Sequence, residues 1–171
     1  MTYFIVGTLL LFFMLFLAAF SIWNVYAIIR GAPFVPSAKK RVQTMISIAN
    51  LQKTDVLLDL GSGDGRIVRR VAPFVKNARG IEINPSLALL SKVFNTLQHK
   101  KNVEIRCADF WHYDLSDVDV LFVYCIDHKM NRLEAKVKKE MKPGARVVSN
   151  GFKFSTWKPR EEKDGVRLYL L

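Results

Sequence analysis

Val56-Leu57-Leu58-Asp59-Leu60-Gly61-Ser62-Gly63-Asp64-Gly65-Arg66-Ile67-Val68 is the stretch that decides the fold. An apolar run ends on an acidic residue, three glycines follow at alternate positions, and an apolar-periodic run resumes. That order reads as strand, tight turn, helix. Glycine lets the backbone take positive φ and come close to a ligand. The helix start offers free N–H groups to polar or anionic atoms. A lone G-x-G is a weak signal. The acidic residue two places earlier, the third glycine and a second acidic residue downstream strengthen it. That second residue is Glu82, in Ala78-Arg79-Gly80-Ile81-Glu82-Ile83, which reads as the end of the next strand. A carboxylate about 20 residues on can accept hydrogen bonds from both hydroxyls of a ribose. The plain alternative is a strand-to-helix turn with no ligand.

Two cofactor classes fit this pattern, a dinucleotide and S-adenosylmethionine. The dinucleotide fingerprint G-x-G-x-x-G would put its third glycine at position 66, where Arg66 stands; here the third is Gly65. A carboxylate at Asp59 would repel a pyrophosphate. It suits the ammonium of a methionine moiety instead.

The rest of the chain continues the alternation. Ser37 is placed to cap a helix over roughly 38–50, with Val42, Met45, Ile46 and Ala49 on one face. The first strand is expected over 55–60, followed by a helix from about Gly65 to Ala72 that Pro73 stops. The second strand spans 78–83. Asn84 caps and Pro85 starts a helix to about Gln98, with Leu87, Leu90, Phe94 and Leu97 as its apolar stripe. A third strand, 103–108, runs into the aromatic loop Asp109-Phe110-Trp111-His112-Tyr113-Asp114. The near-continuous apolar run 119–125 reads as a central strand buried on both faces. A basic helix over 127–141, a strand over 145–149 and a closing hairpin ending at Leu171 complete the chain. The expected fold is α/β, a doubly wound, mostly parallel sheet. Ligands of such sheets bind at the carboxyl ends of the strands, where Asp59, Glu82, Asp109 and Tyr124 all fall.

The first 29 of the 171 residues carry no charged side chain. At 1.5 Å per residue, about 20 residues cross a bilayer core of roughly 30 Å, so residues 4–28 are long enough to span it. Tyr3 near one end and Trp23 and Tyr26 near the other match interfacial aromatics. A cleaved signal peptide is the rival, but it needs a basic leading region and a shorter apolar core. Arg30, Lys39, Lys40 and Arg41 follow the segment, so the positive-inside rule puts the globular part in the cytoplasm. The division expected is an anchor over 1–30, a linker and helix over 31–54 and a catalytic domain over 55–171. Residues 31–171 hold 25 basic against 15 acidic side chains. A tethered domain of that charge is drawn to an anionic leaflet. Nucleic acid, the other usual partner of a basic domain, is disfavoured by the tether. Cys107 and Cys125 read as buried free thiols. His99, His112 and His128 are scattered with no metal-ligand spacing and read as surface residues.

These residues resemble a Rossmann-like (class I) S-adenosylmethionine-dependent methyltransferase over about 55–171. The resemblance implies that Asp59, Gly61, Gly63 and Gly65 hold the methionine part, Glu82 the ribose and Asp109 the adenine amine. Pro33-Phe34-Val35-Pro36-Ser37, Gly61 to Val68, Glu82-Ile83-Asn84-Pro85 and Asp109-Phe110-Trp111 together resemble a narrower family of membrane-anchored protein-lysine methyltransferases. Its mitochondrial members modify the ATP synthase c subunit and the adenine nucleotide translocase. The compact chain and its flanking charge point to a bacterial inner membrane, so those substrates do not transfer automatically. The implied partner is a membrane protein bearing a target lysine. A lysine acceptor, with a free pKa near 10.4, must lose its proton, and an apolar pocket favours the neutral form. Phe34, Trp111, Tyr124 and also Trp157 are the expected walls; each could equally be core packing. Methylation of a quinone or lipid head group, a non-catalytic cofactor-binding scaffold and RNA methylation are the competing readings.

Overall fold

The computed structural model describes residues 1–30 and 34–171. Gly31, Ala32 and Pro33 of the expected stiff linker lie outside them. Five strands run parallel: β1 (Val56–Leu60), β2 (Asn77–Glu82), β3 (Val103–Cys107), β4 (Val120–Val123) and β5 (Arg146–Asn150). Two more, β6 (Glu161–Lys163) and β7 (Val166–Leu170), join antiparallel, giving the order β3-β2-β1-β4-β5-β7-β6. The chain steps outward from β1 to β3, then returns to lay β4 on the other side of β1. That reversal opens a crevice at the carboxyl ends of β1 and β4.

Adjacent residues of the central strands enter opposite layers because side chains alternate across a sheet. Leu57, Phe122 and Val148 pack with Val42 and Met45 of α2 (Lys39–Ile48), Val68 and Val71 of α3 (Arg66–Val71) and Ala88 of α4 (Pro85–Leu97). Leu58, Leu121 and Val147 pack with Met130, Leu133 and Val137 of α5 (Asp127–Glu140). β4 is buried along its whole length, which explains its unbroken apolar sequence. The hairpin β6–β7 turns at Asp164 and Gly165, both at positive φ (51° and 70°), the geometry of a two-residue type I′ turn. The uncharged N-terminal segment lies in α1 (Thr2–Arg30), in which Tyr3–Trp23 is long and apolar enough to cross a membrane and is not buried against the domain.

Several local expectations are corrected. Ser37 does not cap α2; Ala38 holds the cap position, and the Ser37 hydroxyl accepts from Asn150 Nδ2 at 3.3 Å. That bond satisfies an amide at the buried end of β5 that would otherwise lose water without replacement. The apolar stripe of α4 is rotated: Leu87, Ala88 and Ser91 face the core, while Leu90 and Leu97 are 41% and 69% exposed. Small residues define this seam because Gly65 and Ser91 meet so closely that a Cβ at Gly65 would overlap the Ser91 side chain. Cys107 lies exposed on edge strand β3, whereas Cys125 is buried as expected. Much of the basic charge in and just after α5 is paired, with Lys136 on Glu140, Lys138 on Glu134 and Lys142 on Asp119, each at 2.6 Å. His99, His112 and His128 are exposed.

Phe122, fully buried at the middle of the sheet, measures how much the layer packing contributes. Phe122→Ala should lower the unfolding free energy by about 3–5 kcal/mol, read by denaturant titration of the detergent-solubilised chain. A loss near zero would place the core elsewhere.

Candidate active site

The glycine loop leaves β1 and turns back against β2. Gly61 N and Ser62 N both donate to the Ile81 carbonyl, at 2.9 and 3.0 Å. Gly80 makes this possible, since a Cβ there would stand 2.6 Å from the Ser62 hydroxyl. Gly61, Gly63 and Gly65 have φ of 74°, 56° and 74°, a region that side-chain-bearing residues rarely adopt. Asp64 is held by Arg66, with Nη2 to Oδ2 at 2.7 Å and Nε to Oδ1 at 3.0 Å. Arg69 Nη1 donates to the Asp64 carbonyl at 2.6 Å. Asp64 and Arg66 thus rigidify the turn.

The cleft above this loop is lined by Phe34, Asp59, Gly61, Ser62, Gly63, Glu82, Ile83, Leu87, Asp109, Phe110, Tyr124 and Cys125, among others. Four strand ends deliver the polar members. Asp59 is on β1 and Glu82 ends β2. Asp109 follows β3, where its Oδ1 accepts from Trp111 N at 3.0 Å. Tyr124 follows β4 and stacks on Phe152, with ring centroids 6.1 Å apart. Gly151 gives Tyr124 its room, because a Cβ there would lie 3.1 Å from the ring. Phe34 closes the cleft over the glycine loop, where a Cβ on Gly63 would meet its ring at 2.5 Å.

Three expected residues sit elsewhere. Trp111 does not line the cleft; it is buried among the α5-side core, with the Arg132 guanidinium 4.1 Å above its ring. The neighbouring Phe110 takes the cleft position, since the short 3₁₀ turn Phe110–His112 swings successive side chains apart. Trp157 packs on Tyr169 at 5.1 Å. Gly65 is the N-cap of α3 and meets Ser91 rather than the cleft. The residues missed in the sequence are Phe110, Ile83, Leu87 and the Ser62 hydroxyl. Strand-end position would have found Ile83 and Phe110.

The electrostatics are those of crowded buried acids. Burial, then the neighbouring charges of Glu82 and Asp64, raise Asp59 to about 8. Burial likewise raises Glu82, against the opposing effect of hydrogen bonds from backbone N–H groups. Gly63 N reaches Glu82 Oε2 at 2.8 Å and Asn84 N reaches Oε1 at 2.7 Å. Burial would also raise Asp64, but the Arg66 hydrogen bonds and charge outweigh it and hold Asp64 below its usual value. Asp59 Oδ2 and Ser62 Oγ are buried with no hydrogen-bond partner among the described residues. Orphaned polar atoms of this kind are rare in finished structures. A ligand that brings a cation and hydrogen-bond donors to Asp59 satisfies its orphaned oxygen, and hydroxyls can reach the neighbouring Glu82. S-adenosylmethionine carries both, so the residues fit that group.

Residues 59–161 match the model of the ANTKMT methyltransferase domain. The chain belongs to this family. A protein-lysine N-methyltransferase of Saccharolobus islandicus is 36% identical over 75% of this chain and 82% of its own length. The human lysine N-methyltransferase of the ATP synthase c subunit is 30% identical over 74% of this chain, which spans only 54% of that protein. A solved RNA methyltransferase from Salinibacter ruber, in complex with S-adenosylhomocysteine, superposes with a TM-score of 0.73 at 34% identity, covering 79% of this chain and 91% of its own. The chain is an S-adenosylmethionine-dependent methyltransferase with a seven-stranded Rossmann-like sheet.

Asp59 sets a pH signature. Below pH 3.8 it is protonated folded or unfolded; between 3.8 and about 8 only the unfolded chain ionises it. The folded state then binds more protons, so this group makes stability fall as pH rises through that window. Asp59→Asn should flatten the decline, with little change near pH 4 and a higher melting temperature than the wild type at pH 8. Thermal melts of the two proteins at pH 4, 6 and 8 test this; parallel curves would refute the shifted acid.

Proposed function

We propose that the chain is a membrane-anchored protein-lysine N-methyltransferase whose acceptor is the ε-amine of a lysine in an integral membrane protein, near the cytoplasmic surface. The observation that carries this reading is the position of Phe34. The apolar helix ends at Arg30, and four residues later the chain is already part of the cleft wall. Four residues reach at most about 14 Å. A cleft held that near the end of a spanning helix meets substrates in the plane of the bilayer at high effective concentration. The basic flank Arg30, Lys39, Lys40 and Arg41 supports a cytoplasmic catalytic side. The archaeal and human relatives, both lysine N-methyltransferases by name, support lysine as the acceptor.

In this reading Asp59 would hold the ammonium of the cofactor, Glu82 its ribose hydroxyls and Asp109 its adenine amine. The glycine loop provides close backbone approach. The cofactor supplies an activated methyl group, so the protein's work is positioning and exclusion of water. Phe34, Phe110 and Tyr124 wall the cleft with apolar surface, which disfavours the charged lysine and stabilises the neutral amine. The cofactor would supply the methyl group there, and the residues of this chain would hold the acceptor amine neutral, with its lone pair free to accept it. A nucleic-acid acceptor is the second reading, favoured by the net charge of +11 and by the Salinibacter relative.

Glu82→Ala removes a pair of charge-assisted hydrogen bonds to the ribose, which should weaken S-adenosylmethionine binding by about 2–4 kcal/mol, roughly 30-fold or more. Calorimetry measures it, and equal affinity in both proteins would remove Glu82 from the ribose site. For the acceptor, membrane vesicles are incubated with labelled cofactor and separated into protein, lipid and RNA. Label should appear on protein lysine in inside-out vesicles and be lost with Asp59→Ala. Label confined to lipid or RNA refutes lysine methylation, and labelling only of right-side-out vesicles refutes the orientation.

A further inference from the structure

Helix α4 turns an apolar face to solvent. Leu89, Leu90, Val93 and Leu97 are 64%, 41%, 47% and 69% exposed. They recur at helical spacing on the side opposite Leu87, Ala88 and Ser91, which pack on the sheet. The same segment has a one-sided charge. Between Glu82 and Glu104 there is no acidic residue, and the charged side chains are Lys92, Lys100 and Lys101. None of the three is in an ion pair among the described residues. On α5, by contrast, Lys136 and Lys138 are neutralised by Glu140 and Glu134 of the same helix. A solvated helix looks like α5. A helix with an apolar face flanked by unpaired lysines looks like one that lies in a membrane interface.

We infer that α4 docks on the anionic lipid surface, its apolar face among the acyl chains and Lys92, Lys100 and Lys101 at the phosphates. The inference rests on the membrane anchor proposed above and goes further, because it fixes how the domain is oriented. Two features select lipid as the occupant. One is the sign of the charge, complementary to an anionic leaflet. The other is reach: residues 31–38 between α1 and α2 span at most about 28 Å, so the domain stays beside the bilayer. Leu87, in the first turn of α4, lines the cleft while Leu89, two residues on, faces outward. Docking through α4 therefore holds the cleft about one helix diameter from the headgroup layer, within reach of a juxtamembrane lysine.

The test uses the full chain in lipid nanodiscs. In a Cys107→Ser background, an environment-sensitive dye is attached at Leu89→Cys, Leu97→Cys, Lys163→Cys on the opposite sheet edge, or Leu11→Cys within the apolar helix. Quenching by nitroxide-bearing lipid is then measured. With anionic lipid, the dyes at 89 and 97 should be quenched and the dye at 163 should not. Replacing Lys92, Lys100 and Lys101 by Gln should weaken docking roughly fivefold per lysine, about a hundredfold together, and abolish the preference for anionic over zwitterionic lipid. A quenched dye at 11 with unquenched dyes at 89 and 97 overturns α4 docking and leaves the anchor standing. Disulfide pairing of Leu97→Cys between copies, without quenching, assigns the face to a second copy and also overturns it. An unquenched dye at 11 overturns the anchor itself.

Discussion

The close approach of the glycine loop to β2 is the contact on which the site depends. Gly80 has no side chain, so Ser62 can settle over β2 and share the Ile81 carbonyl with Gly61. Glu82 then reaches back across the gap to Gly63. The glycine loop that follows Asp59 and the strand carrying Glu82 are thereby locked as one unit. The cofactor meets a rigid acidic wall rather than two loops to be ordered, so less conformational entropy is lost on binding.

This rigidity has an electrostatic cost. Three carboxylates, those of Asp59, Asp64 and Glu82, lie within one buried neighbourhood, each compensated differently. Arg66 neutralises Asp64, backbone N–H groups solvate Glu82, and Asp59 alone keeps its proton near neutral pH. A cationic ligand arriving at Asp59 supplies the missing compensation. The site is thus unfavourable without its ligand and relieved with it, the usual trade-off between stability and function.

Much of this was legible because short-range chemistry dictates it. The glycine loop and the Asn84-Pro85 helix start follow from backbone geometry that few residues permit, and the β4 run from burial on both faces. What escaped was set by contacts distant in sequence. Ser37 binds Asn150 instead of capping, and the seam of α4 follows Gly65 and Ser91 rather than its leucines. Trp111 and Phe110 exchange core and cleft positions through a single 3₁₀ turn. The division before Asp55 follows composition, but packing runs across it, since Val42, Met45 and Ile48 of α2 belong to the main core.

The seat of Phe34 on Gly63 has a consequence for modularity. The segment between helix and domain is not an interchangeable spacer. From Phe34 to Ser37 it is wall and fastening at once. A version of this enzyme without α1 keeps its cleft wall only if it begins at or before Phe34. Fusion to a different leading segment would succeed only if the junction respects that same point, so the structural boundary of the domain lies some twenty residues ahead of its first strand.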